Sequence, residues 1–218
     1  MSSAKERLGR LLVLASEGRW SALAGELADL AFDWPADFPE AMRVPVMALL
    51  EWTAREADEA TRTLLAARIG GHPELPLKLL NELYLAAPAR VRREILMRDE
   101  LDGLRDEETS PADTEPLLAA ARQEGLHDFA SVMSTAFSIP RRIAEAIMAD
   151  ASGEPLAVLC RGTGTDRATF TSLALLKGVE AMSLAVFDTV PEHAARRLSQ
   201  HWRQAQAAPA FTHATAAE

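Results

Sequence analysis

At 218 residues the chain has room for one large domain or two small ones. Its composition, 48% hydrophobic and 25% charged, is that of a folded soluble protein. A formal net charge of -9 argues against nucleic acid or an anionic membrane surface as a partner, because both attract a positive field.

Ala and Leu dominate, Tyr occurs once and β-branched runs are nearly absent, so the chain reads as all-α. Residues 4 to 16 carry Leu8, Leu11, Leu12 and Ala15 at helical spacing and stop at Gly18. Trp20 to Phe32 repeats the pattern with Leu23, Leu27, Leu30 and Ala31. Pro35 and Pro39 forbid a continuous helix in the aromatic stretch that follows. Met42 to Arg55 predicts a third helix whose regular part begins close to Val44, and Asp58 caps a fourth that ends at Gly70-Gly71.

Residues 73 to 98 predict two short helices broken at Ala87-Pro88. The first is apolar almost all round, apart from a strip of Lys78, Asn81 and Glu82, and has Pro73 and Pro76 in its first turn. The second is expected to turn Val91 and Ile95 inward and Arg90, Arg92, Arg93, Glu94 and Arg98 outward. From Leu101 to Asp113 the sequence is acidic and aperiodic, as a linker would be. Further helices are expected over 114–122, 127–137, 140–149, two around the Gly-Thr turn of 151–178, 182–188 and 191–206. The domain reading is an N-terminal helical lobe over 1–100, a linker at 101–113, a C-terminal lobe over 114–207 and a disordered tail at 208–218. About a dozen short antiparallel helices, paired at roughly 35 to 40 residues, suit a HEAT-like array.

Three segments carry a family resemblance: LLNELYLAAP at 79–88, APARVRREILMRD at 87–99 and ASGEPLAVLCRGTGTDRATFTSLALLKG at 151–178. They resemble an uncharacterised bacterial family, mainly alphaproteobacterial, of HEAT-like helical repeats known as domain of unknown function 2336. The resemblance spans residues 5 to 205 and implies the fold, without an activity, cofactor or catalytic residue to carry over. Where relatives often have a Leu-Gly-Leu-type turn, this chain has Gly162-Thr163-Gly164-Thr165.

Arg90, Arg92, Arg93 and Arg98 are the candidate partner-binding residues. With Arg141-Arg142 and Arg196-Arg197 they would form a basic stripe if equivalent helices line one surface, and their guanidinium forks suit acidic peptides or phosphate groups. The competing reading pairs each with a nearby acid, as in Glu94 with Arg98. Arg161, Gly162, Gly164 and Thr165 are the alternative, a ligand-binding loop. The Lys of a phosphate loop is missing there, and no strand precedes it, so a plain interhelical turn is favoured. Cys160 lies in an apolar run and reads as a buried thiol. The five histidines have no metal-ligand spacing, and no cofactor or catalytic residue is expected. The absence of a signal-like or membrane-spanning stretch makes cytoplasm the default. The leading expectation is a non-enzymatic protein-interaction or scaffold module, with homo-oligomers left open. A nucleotide- or small-molecule-binding regulator comes second and an enzyme third.

Overall fold

The computed structural model describes residues 4–36, 38–70, 72, 75–98, 114–115, 117, 119, 129–176, 178 and 184–207, and among them every regular element is helical. The chain divides into two compact units, Met1–Arg98 and Asp99–Glu218. The segment expected as a linker, His127 and the C-terminal tail lie outside the described residues. No helix among the described residues is long and apolar enough to cross a membrane.

In the first unit, α1 (Ala4–Ser16) ends where Gly18 turns left-handed at φ 66°. The Arg19 N–H then reaches back to the Leu14 carbonyl at 2.9 Å and that of Gly18 to Ala15 at 3.2 Å, which satisfies the last carbonyls of the helix. Helix α2 (Trp20–Phe32) buries Leu23, Ala24, Leu27, Ala28 and Leu30 and contacts α1, α3 (Arg43–Glu56) and α4 (Glu59–Ile69). Between α2 and α3, Trp34 meets Phe38 edge to face at 5.0 Å, and Phe38 is buried. A single 3₁₀ turn, Glu40–Met42, leads into α3, so Pro45 falls in a first turn where its missing N–H costs no helical bond. Asp58 caps α4 by accepting from the Thr61 N–H at 2.7 Å.

Helix α5 (Leu77–Leu83) runs into a 3₁₀ turn over Tyr84–Ala86, and α6 (Ala89–Leu96) follows Pro88. Helix α5 starts later than its sequence suggests. Pro76 has an extended ψ of 136° and stands just outside the first turn, while Leu75 before it is buried without being helical; Pro73 lies outside the described residues. Leu79, Leu80 and Leu83 are buried to 1% exposure or less, each contributing on the order of 2 kcal/mol of apolar transfer.

In the second unit, Glu115, Leu117 and Ala119 are helical and Leu117 is buried. Helices α7 (Phe129–Phe137) and α8 (Arg141–Ala149) pack on one another, and the Arg203 Nε donates to the Phe137 carbonyl at 3.1 Å. Helix α9 (Glu154–Gly162) is the centre: Pro155 through Cys160 and Gly162 are all buried. It contacts α8, α10 (Arg167–Leu176), α11 (Val186–Thr189) and α12 (Glu192–Ala207). Gly162 is what lets α9 and α12 approach, since a Cβ there would collide with the Ala195 carbonyl and the Ser199 hydroxyl.

Candidate functional site

Helix α6 sorts its arginines by the 100° turn between neighbours. Val91, Arg92, Ile95 and Leu96 are buried, while Arg90 and Arg93 are exposed. Arg92 is only 9% exposed; its Nε donates to the Ala87 carbonyl at 3.0 Å and its guanidinium carbon lies 6.0 Å from the Tyr84 ring centroid. Arg98 is half-buried, and its guanidinium donates to the carbonyls of His72 and Leu75, each at 3.2 Å, tying down the approach to α5. The expected outward face is therefore corrected: Arg92 and Arg98 brace the fold, and only Arg90 and Arg93 point to solvent. Arg90 is in turn paired with Glu94 at 3.3 Å. The same division recurs on the later helices. Arg141 pairs with Glu145 at 2.8 Å, Arg196 pairs with Glu192, and Arg197 is buried.

The Gly-Thr turn is occupied by its own capping. Gly164 turns left-handed at φ 72°, the Thr165 N–H donates to the Cys160 carbonyl at 2.9 Å and the Gly164 N–H to Arg161 at 3.3 Å. The Thr163 hydroxyl donates to Leu159 at 2.8 Å, and the Thr165 hydroxyl sits 3.1 Å from it, both buried. Arg161 donates to the Phe187 carbonyl at 2.8 Å and covers the Phe187 ring at 5.6 Å. Asp166 caps α10: its carboxylate accepts from the Thr169 N–H and hydroxyl, both at 2.9 Å, and these bonds hold its pKa below the usual carboxylate range. The loop's N–H groups point into protein, the opposite of a phosphate cradle. Arg161, Gly162, Gly164 and Thr165 thus meet as a helix junction.

Cys160 is fully buried, and burial, helped by the Asp166 carboxylate, pushes its thiol far above the ordinary cysteine range. It is not a ready nucleophile. His72 stacks edge to face on Phe32 at 5.0 Å. Among the described residues no group of three or more His, Cys, Asp or Glu side chains is placed to hold a metal ion.

The feature that sequence reasoning missed is on α3. Its inner face buries Val46, Leu50, Thr53 and Ala54, yet Pro45, Ala48, Leu49 and Trp52, spaced i, i+3, i+4 and i+7, form an exposed apolar stripe on the opposite side. Leu49 is 39% and Trp52 38% exposed. At the end of the stripe Trp52 meets Trp20, itself 44% exposed, edge to face with ring centroids 5.6 Å apart. Ser21, beside Trp20, lies 2.5 Å from the Thr61 hydroxyl, which brings the first turn of α4 to the same corner. The charges there are unevenly matched. Glu17 pairs with Arg19 at 3.5 Å and Arg55 with Glu82 at 3.8 Å, whereas Glu51, Glu56 and Glu59 enter no ion pair among the described residues. A helix that is apolar on two sides reads in sequence as fully covered; the packing shows that the side of Pro45, Ala48, Leu49 and Trp52 stays exposed to solvent. No family model, curated protein or solved structure matches this chain.

Proposed function

We propose that the chain is a protein-interaction module of the cytoplasm, a HEAT-like helical array of the bacterial family its segments resemble, which seats a partner protein on the outer face of α3. One observation carries the reading: Pro45, Ala48, Leu49 and Trp52 form a solvent-exposed apolar stripe that ends in the Trp20–Trp52 pair. Exposed aromatics beside aliphatic side chains are the usual anchors of protein interfaces, because they exchange a large wet area for contact at little cost in side-chain entropy. Arg92 and Arg98 belong to the fold and take no part. The small-molecule alternative at the Gly-Thr turn is disfavoured, since the N–H groups of Thr163, Gly164 and Thr165 already bond to carbonyls of α9.

The test is affinity capture from the source cell with the full chain and with a Trp20→Ser/Trp52→Ser variant shown by circular dichroism to be folded. The expected result is a protein held by the first and lost by the second. A partner retained equally by both would place the interface elsewhere and end this reading.

A further inference from the structure

The partner's chemistry can be read from what surrounds the stripe. Resting on the interaction-module reading above, we infer that the outer face of α3 takes a basic amphipathic helix, its apolar side along Pro45–Ala48–Leu49–Trp52 and a Lys or Arg at the Glu56–Glu59 corner. The stripe follows one face of α3 for two turns, about 10 Å, which is the geometry into which a second helix lays its own i, i+3, i+4 and i+7 side chains. Glu56 stands one turn beyond Trp52 on that same face, and Glu59 follows three residues later as the first residue of α4. Both carboxylates are exposed, and neither is in an ion pair among the described residues. Unpaired acids at the rim of an apolar anchor select a positive partner and repel a negative one.

The experiment is calorimetric titration of the full chain with a synthetic helical peptide of leucines at the four contact positions and lysines elsewhere. The same peptide with glutamate for every lysine is the control. At low ionic strength the lysine peptide is expected to bind about tenfold or more tighter than the glutamate peptide. That preference should fall with added salt and vanish in Glu56→Lys/Glu59→Lys. Trp52→Ser should weaken the lysine peptide by about tenfold as well, separating seating on the stripe from general attraction to an acidic protein. Equal or better binding of the glutamate peptide, binding of the lysine peptide indifferent to Trp52 or to the two glutamates, or binding of neither peptide would overturn the inference. So would self-association seen by sedimentation, or binding to zwitterionic vesicles, if either is lost in Trp52→Ser. The capture experiment with the tryptophan variant is decided independently, so the partner class can fail while the interaction module stands.

Discussion

Arg92 and Arg93 are neighbours with opposite fates. One turns inward among Val91, Ile95 and Leu96 with its Nε on the Ala87 carbonyl; the other faces solvent. Arg92→Ala should therefore destabilise the protein by about 2 kcal/mol, through lost hydrogen bonding and packing and a backbone carbonyl left without its donor. Arg93→Ala should stay within about 0.5 kcal/mol. Urea unfolding of the two variants reads the difference, and equal values would return Arg92 to the surface. A signal for this was present in the sequence: Arg92 lies three and four residues before Ile95 and Leu96, on their side of the helix. It was outweighed by the general preference of arginine for solvent.

Acid dependence is also set by single residues. The backbone N–H groups of Thr61 and Thr169 hold the capping carboxylates of Asp58 and Asp166 below their ordinary pKa. A carboxylate depressed in the folded state binds fewer protons than in the unfolded state, so its contribution is complete above the unfolded value and is lost as pH falls through the folded one. Melting temperatures followed from about pH 5 downward should fall less steeply in Asp58→Asn/Asp166→Asn, which keeps two capping oxygens but removes both titrations. An unchanged slope would show that these caps carry no acid linkage.

At the scale of elements, the helix ends were legible because their chemistry is local. Gly18 and Gly70, Asp58, and the prolines at 88 and 140 stand where the chain needs a left-handed residue, an N–H acceptor or a stop. One exception is Ser138, which closes α7 at φ 54° where glycine would be expected, with the Ile139 N–H on the Ser134 carbonyl at 3.0 Å. The two faces of α3 were not legible, since apolar periodicity states that a side is suited to burial and not what covers it. The structure separates them. Leu50→Ala removes a side chain that is 0% exposed and should cost about 3 kcal/mol. Leu49→Ala, on the outer stripe, should cost less than about 1 kcal/mol in unfolding experiments. Similar losses for both would mean that the outer stripe is packed in solution.

For the whole molecule, all-α architecture followed from composition and helical spacing; the aperiodic acidic stretch led to an expectation of lobes over 1–100 and 114–207, and the contacts divide the chain into Met1–Arg98 and Asp99–Glu218. The interaction surface proposed here belongs entirely to the first unit, where α2, α3 and α4 bring Trp20, Trp52, Glu56 and Glu59 to one corner. The direct measurement of that claim is site-specific photo-crosslinking in the source cell, with the photoreactive residue placed at Leu49 in one strain and at Arg93 in another. Leu49 lies on the outer stripe and Arg93 on the exposed side of α6, so both positions are wet in the unbound chain. A covalent adduct to another protein is expected from position 49 and none from position 93. An adduct from position 93 alone would move the partner to the arginine helix and contradict a seat on α3.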